Sequence, residues 1–234
     1  MKSTRQHGFT LVEIAIVLVV VGLLIGGLIT PLSMQLEQRR VSDTQKALDE
    51  GREALIGFAL RNGYLPCPAI SASNGLEDRD GPACTGNKRQ GYLPWATLGL
   101  SKLDSWDHLF RYSVTPAFAN SAQLFKLNTP RDISIATRGS NGGLTAATMS
   151  NDIPAVIMSF GKNGYGATSD QGTQIADAGN GNADEKLNQG AGLAFVTRQA
   201  TDNPGAPGGS FDDQLVWVSP YILFNRMISA QRLP

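Results

Sequence analysis

The sequence predicts an α+β fold in which one long amino-terminal helix, half transmembrane and half amphipathic, packs on a small antiparallel β-sheet with long Gly-rich loops. Three observations predict this fold. Residues 9–30 form a stretch of 22 residues, of which 16 are apolar. An apolar repeat of seven residues follows, as expected for one helix face. Short strand-like runs between glycine-rich turns fill the remaining sequence.

The composition indicates a soluble domain with an appendage. The chain has 234 residues, 41% of them hydrophobic and 17% charged, which does not resemble a polytopic membrane protein. Its 20 basic and 20 acidic residues leave no net charge, so the totals give no reason to expect a nucleic-acid or anionic-lipid partner. Two cysteines are too few for a disulfide scaffold or a four-thiolate zinc site.

The chain divides into a polar leader at residues 1–8, an apolar helix at 9–30, an amphipathic helix at 31–62 and a β-rich domain at 63–234. The apolar stretch is long enough to cross a bilayer once. It is longer than the core of an ordinary secretory signal and lacks an Ala-x-Ala ending. Its only charge is Glu13, and an unpaired charge costs at least about 2.5 kcal/mol at the centre of a bilayer. Glu13 therefore needs a partner, although a plain signal anchor remains the alternative.

The amphipathic stretch predicts a continuation of the same helix. Its apolar stripe consists of Met34, Val41, Leu48, Leu55 and Phe58. Only Pro31 interrupts the passage from the apolar run, so we expect one helix with a kink or a loosened turn there. Gly63, Pro66 and Pro68 are expected to end it.

The carboxy-terminal domain predicts a sheet of short strands. The candidate strands are residues 109–115, 133–137, 155–160, 193–197 and 214–218. Trp95, Trp106 and Trp217 are expected to seal the core between sheet and helix, and a ligand-binding platform is the alternative.

The amino terminus carries the most specific motif in the chain. The residues are Gly8-Phe9-Thr10-Leu11-Val12-Glu13, after a short basic leader and before the apolar run. This segment resembles the type IV prepilin signature shared by pilins and type II secretion pseudopilins. In that family a membrane peptidase cuts after the glycine and methylates the new first residue. The resemblance implies a pilin-like fold, prepilin peptidase cleavage between Gly8 and Phe9, and N-methylation of Phe9.

The resemblance also implies assembly with other pilin or pseudopilin subunits at an inner-membrane platform. In the filament core, Glu13 would pair with the cationic amine of Phe9 in a neighbouring subunit and set the axial register, because an unpaired buried charge is strongly unfavourable. Gly22 and Gly26 form a GxxxG spacing that permits close helix approach. The general frequency of glycine in membrane helices explains that spacing equally well.

The two cysteines indicate in which cellular compartment the carboxy-terminal domain lies. Cys67 and Cys84 follow the helix, and a disulfide between them would close a loop of about 17 residues worth roughly 3 kcal/mol. A disulfide implies the periplasm or beyond, whereas two unlinked thiols would not. The positive-inside count does not settle the orientation. The resemblance places the leader in the cytoplasm and the carboxy-terminal domain in the periplasm, with the subunit in a pilus or pseudopilus after assembly.

Calcium is the one cofactor that the resemblance suggests, since pseudopilins of the major type hold Ca²⁺ in a carboxy-terminal loop. The matching candidates are Asp184, Asp212 and Asp213, with Asp177 and Glu185 in similar Gly/Asn-rich surroundings. Carboxylate oxygens on loops suit calcium. Their spacing follows no EF-hand pattern, and solvated turn residues are the alternative. The expected function requires no cofactor.

The sequence therefore predicts a structural subunit, a minor pilin or pseudopilin, and not an enzyme. His108 is the sole histidine after cleavage, and no nucleophile elbow, zinc-protease motif or phosphate loop is present. A DNA-uptake minor pilin is one alternative, but residues 63–234 hold 13 basic and 14 acidic residues with no basic cluster, so a nucleic-acid partner is not expected. A single-pass anchored periplasmic domain with an unrelated binding or enzymatic role is the other.

Overall fold

The computed structural model describes residues 10–79, 81–84, 86–139 and 141–233, without the side-chain surroundings of residues 25–31 and 86–87. The chain forms two compact units, Met1–Ser42 and Asp43–Pro234.

Helix α1 spans Leu11–Asn62 and has 52 residues. The prediction of one long helix is confirmed, and so is its end. Gly63 adopts a φ of 82°, and its N–H donates to the Ala59 carbonyl oxygen at 2.7 Å, so the helix stops at a left-handed glycine. Among the residues that the structure describes, no helix is both long enough and apolar enough to span a membrane.

In the part of the second unit that the structure describes, there are seven strands and three further α-helices. The strands are β1 (Gln90–Tyr92), β2 (Arg111–Val114), β3 (Ser134–Arg138), β4 (Leu144–Ala146), β5 (Ala155–Ser159), β6 (Ala194–Val196) and β7 (Gln214–Val218). The helices are α2 (Trp95–Leu98), α3 (Ala183–Gln189) and α4 (Pro220–Ser229). One sheet has the order β1-β2-β5-β7, and the other has the order β4-β3-β6.

All five predicted strands are present, but they belong to two sheets instead of one. The first sheet is antiparallel throughout. In the second, β3 pairs antiparallel with β4 and parallel with β6. A parallel pair requires a long crossover connection, and the chain between β3 and β6 provides one. Strands β1 and β4 are not predicted from the sequence, because they have three residues each and too little alternation to be recognised.

The first sheet is buried on both faces, as the fully buried strand β5 makes clear. Ala155 and Ile157 belong to a core that includes Leu48 and Leu55 of the helix. Val156 and Met158, which alternate with them and point to the opposite face, belong to a core formed with the second sheet. The second unit is therefore layered as helix, sheet and sheet.

The predicted burial of the apolar helix stripe and of the core tryptophans is found for some of these residues and not for others. Leu48, Leu55 and Phe58 are buried, whereas Met34 and Val41, which lie in the first unit, are exposed. Trp95 is 9% exposed and belongs to a small cluster of its own, and Trp217 packs against the core of the second sheet.

A disulfide joins Cys67 to Cys84, with 5.6 Å between the Cα atoms, and this sequence prediction is confirmed. Hydrogen bonds within the loop between Cys67 and Cys84 also hold it in place. Glu77 Oε2 accepts hydrogen bonds from the Cys67 N–H at 3.0 Å and from Arg79 Nη2 at 2.8 Å. The disulfide and this carboxylate together fix the chain as it leaves α1.

Removing the disulfide should lower the free energy of unfolding by roughly 3 kcal/mol, because the open loop gains entropy in the unfolded chain. The suitable variant is Cys67→Ala with Cys84→Ala, since both positions are fully buried and serine would leave hydroxyl groups without partners. Denaturant unfolding of the wild type with and without reductant is the comparison. Free thiols in protein recovered from the periplasm would contradict the linkage in the cell.

Candidate functional site

The described chain begins inside the amino-terminal signature, where Thr10 and Glu13 form a reciprocal cap at the start of α1. The Thr10 N–H and hydroxyl donate to Glu13 Oε2 at 3.2 and 3.3 Å. The Glu13 N–H donates to Thr10 Oγ1 at 3.2 Å. This is a capping box, and it places the carboxylate at the positive end of the helix dipole. Glu13 therefore has a partner within its own chain.

The family resemblance implies a partner for Glu13 only in a neighbouring subunit, although the Thr-x-x-Glu spacing is itself a signal for this cap. The two roles are compatible. A carboxylate has about four acceptor positions, and Thr10 uses only Oε2. Gly8 and Phe9, the predicted cleavage site and methylated residue, lie outside the described residues.

The first turns of α1 expose an almost continuous apolar surface. The side chain of Leu11 is 89% exposed and that of Leu23 is 73% exposed. Apart from its chain neighbours and the nearby backbone of its own helix, a Cβ at Gly22 would have no atom of the described chain within 4 Å. Gly26 lies on α1 within the stretch whose side-chain surroundings are not described. An apolar surface of this kind needs a membrane or partner helices.

A second candidate site is an acidic cluster in the second unit. It consists of Glu185 on α3 and of Asp212 and Asp213 immediately before β7. One carboxylate oxygen from each residue lies within 4.8 Å of the other two. Glu185 is 0% exposed and Asp213 is 6% exposed, so two of the three carboxyl groups lie out of reach of bulk water.

Each carboxylate of the cluster has one oxygen in hydrogen bonds and one without a partner. Asp213 Oδ2 accepts from the Asn188 side chain at 2.8 Å, and Asp212 Oδ2 accepts from the Asn163 N–H at 2.8 Å. Glu185 Oε1 accepts from the Asn163 side chain at 2.8 Å and from the Asp212 N–H at 3.1 Å. Within the described chain, the other oxygens, Glu185 Oε2, Asp212 Oδ1 and Asp213 Oδ1, are buried and have no hydrogen-bond partner.

Burial and mutual repulsion disfavour the ionised forms of these three carboxyl groups when no cation is bound. Burial raises the pKa of Asp212 to about 7, and the charge of Glu185 adds to that rise. Burial also raises the pKa of Asp213 well above its ordinary value and raises that of Glu185. A bound cation would reverse this effect, because an opposite charge favours the ionised form.

The structure separates Asp184 from the cluster. Its carboxylate pairs with Arg138 at 2.6 Å and with Arg198 at 2.8 Å, and both of its oxygens are occupied. Asp177 is exposed and pairs with Lys186. Adjacent helical residues point about 100° apart, so Asp184 faces the two arginines while Glu185 faces the aspartates. Of the three residues that the resemblance suggested for calcium, the structure brings together Asp212 and Asp213 and adds Glu185.

The geometry of the cluster fits a hard divalent cation. Oxygens bound to one Ca²⁺ lie 2.3–2.6 Å from the ion and therefore at most about 5 Å from one another. The three carboxylate oxygens of the cluster lie within 4.8 Å of one another, so their spacing permits a shared ion. All three side chains are carboxylates, and no histidine or cysteine ligand for zinc belongs to the set. Asp212 packs directly against Gly161, because a Cβ there would come within 2.4 Å of the Asp212 carbonyl oxygen and 2.5 Å of Asp212 Oδ1.

A third polar group, around His108, does not have the geometry of a nucleophile and its base. Ser159 is fully buried, and its hydroxyl donates to Asp104 Oδ2 at 2.6 Å instead of to the histidine. Asp104 Oδ1 also accepts from the N–H of His108 at 2.9 Å. This buried network holds the loop before β2 against β5.

Comparison with known proteins identifies the amino terminus only. Residues 3–29 match the family model described as the prokaryotic N-terminal methylation motif. No curated protein and no solved structure matches the chain. The match confirms the prepilin-like signature, and such a motif supports a pilin-like subunit that is processed by prepilin peptidase and assembles with other pilins.

Proposed function

We propose that the protein is a minor pilin or pseudopilin, a structural subunit of a type IV pilus or of a type II secretion pseudopilus. The observation that carries the proposal is the methylation motif at residues 3–29. The exposed apolar side chains that follow it on α1 support assembly through this helix. Before assembly, the subunit is anchored in the inner membrane with its leader in the cytoplasm. The disulfide between Cys67 and Cys84 supports a periplasmic second unit.

Glu13 has two successive partners in this proposal. In the single subunit its carboxylate caps the start of α1 through Thr10. In the filament it also pairs with the methylated amine of Phe9 in the adjacent subunit. A buried carboxylate without such a partner would weaken the assembly by about 3–5 kcal/mol. The pair therefore sets the axial position of each new subunit.

We propose as a second function that Glu185, Asp212 and Asp213 hold a divalent cation, with Ca²⁺ as the natural candidate. The specific observation that favours it is the set of three buried carboxylate oxygens without a hydrogen-bond partner. The two positive charges of the ion would offset two of the three carboxylate charges. These residues would join α3 to the start of β7, so the site is structural and stabilises the second unit.

Replacing Glu13 with Val should leave cleavage and methylation intact but strongly reduce incorporation into filaments. The neighbouring amine then has no carboxylate to pair with, and the cap on α1 is lost as well. The measurement is the ratio of the variant in sheared filaments to the variant in membranes, read by quantitative immunoblot.

Glu50→Val is the matched control for that experiment, because it removes the same charge from an exposed position of the same helix. It should incorporate like the wild type. Equal incorporation of Glu13→Val and Glu50→Val would remove the argument for axial register.

A further inference from the structure

Several asparagines of the chain are followed directly by glycine, namely Asn62, Asn74, Asn141, Asn163 and Asn180. An Asn-Gly pair favours attack of the glycine backbone nitrogen on the asparagine side-chain amide, because glycine has no Cβ to obstruct the approach. We propose that the Asn180-Gly181 pair, in the turn before α3, is a site of spontaneous deamidation that yields aspartate and isoaspartate. The proposal does not depend on the proposed function.

The reaction needs only the chain and water. The backbone nitrogen of Gly181, after losing its proton to hydroxide, bonds to Cγ of Asn180. The bond between Cγ and Nδ2 breaks, and Nδ2 leaves as ammonia with a proton from water, so that a cyclic succinimide remains. Water then opens the ring. Attack at Cγ gives aspartate, and attack at the main-chain carbonyl carbon gives isoaspartate, in which the chain runs through the former side chain.

Both reacting groups are free at Asn180. This residue and Gly181 are exposed in a turn. Within the described chain, the Asn180 side chain has no hydrogen-bond partner, and the Gly181 N–H donates to no acceptor. A Cβ built on Gly181 would meet no atom within 4 Å outside its chain neighbours. The side-chain amide and the backbone nitrogen can therefore approach each other without breaking a hydrogen bond.

In three of the other pairs the attacking nitrogen is already hydrogen bonded. The N–H groups concerned donate to backbone carbonyl oxygens at 2.7, 2.9 and 3.2 Å, and they belong to Gly63, Gly142 and Gly164. The side-chain amide of Asn163 is held as well, since it donates to Glu185 Oε1 at 2.8 Å. Each of these bonds must break before attack, and one bond of ordinary strength slows the step by up to about tenfold.

The remaining pair, Asn74-Gly75, is held by packing. Gly75 is buried, and a Cβ there would lie 2.1 Å from the ring of Trp95. Asn74 Oδ1 accepts from the Leu76 N–H at 3.1 Å, which fixes the side chain in a turn. Ring closure requires Gly75 to move relative to Asn74, and the contact with Trp95 opposes that movement. Of the five pairs, the fold leaves Asn180-Gly181 the most free to react.

The test is incubation of the purified full-length protein, in detergent micelles, in warm and mildly alkaline buffer made with heavy-oxygen water. Proteolysis in ordinary water and mass spectrometry of the peptides then report the isotope label at each asparagine. Asn180 should take up the label about tenfold faster than the other four, partly as isoaspartate. In urea, which unfolds the chain, the five rates should approach one another, because only the shared Asn-Gly sequence then acts.

Gly181→Ala should slow the conversion of Asn180 severalfold, because the added Cβ obstructs the attack. The backbone of Gly181 is not left-handed, and the space around it admits the methyl group. Gly192→Ala is the matched control, since this glycine is also exposed, not left-handed and open to a Cβ. That variant should leave the rate unchanged.

Two results would overturn the inference. One is a native protein in which Asn180 is labelled no faster than the asparagines whose glycine N–H is hydrogen bonded. The other is a folded Gly181→Ala protein that is labelled at Asn180 as fast as the wild type. If Gly181→Ala does not fold, the comparison of the five sites in the wild type decides, because it requires no variant.

Discussion

Replacing Gly8 with Val should leave the protein in the membrane as an uncleaved precursor. Gly8 precedes the predicted scissile bond in the methylation motif matched at residues 3–29. A residue without a side chain presents an open, extended backbone to a protease beside the membrane, whereas a β-branched side chain obstructs the approach. The effect should be close to complete. Intact mass of the membrane fraction would show a full-length chain without methylation.

The same substitution at Gly22 is the matched control, because this glycine lies further along α1 and has open space around it. The Gly22→Val protein should be cleaved like the wild type, since the change lies beyond the peptidase site. Normal cleavage of Gly8→Val would count against the prepilin assignment, whatever the control shows.

Replacing Asp213 with Asn should abolish stabilisation by Ca²⁺ without destabilising the metal-free protein. Asp213 is buried, and one of its oxygens has no hydrogen-bond partner within the described chain. Without an ion, the neutral amide avoids the penalty of a buried charge. With Ca²⁺ at about 100 times its dissociation constant, the wild type should gain about 2.7 kcal/mol and the variant almost nothing. Thermal unfolding with chelator and with Ca²⁺ measures both effects.

Asp177→Asn is the control for that comparison, since Asp177 is an exposed carboxylate that pairs with Lys186 away from the cluster. It should keep the full response to Ca²⁺. If Ca²⁺ stabilises Asp213→Asn as strongly as it stabilises the wild type, the ion does not bind at this cluster.

The sequence predicted the parts of the fold that depend on local patterns. The long apolar and amphipathic run predicted α1, and the left-handed Gly63 ends the helix where expected. The five segments predicted to be strands all form strands. Their division into two sheets depends on which strands pair across long connections, and local patterns do not encode that choice.

Local sequence patterns also do not predict which single residues form the acidic cluster. The Gly/Asn-rich loops indicated a group of acids, but not that Glu185 would face Asp212 while its neighbour Asp184 faced two arginines. That distinction depends on how the short helix α3 is rotated against the sheet, which only tertiary packing fixes. By contrast, the cap between Thr10 and Glu13 is encoded by a spacing of three residues and was predictable from the sequence.

The intact mass of the native protein extracted from membranes tests the central claim most directly. The account predicts a chain that lacks the first eight residues and carries one methyl group on the amine of Phe9. Tandem fragmentation would place that group at the new amino terminus. A native chain that retains its leader and carries no methyl group would contradict the account, because Glu13 would then have no neighbouring amine with which to pair.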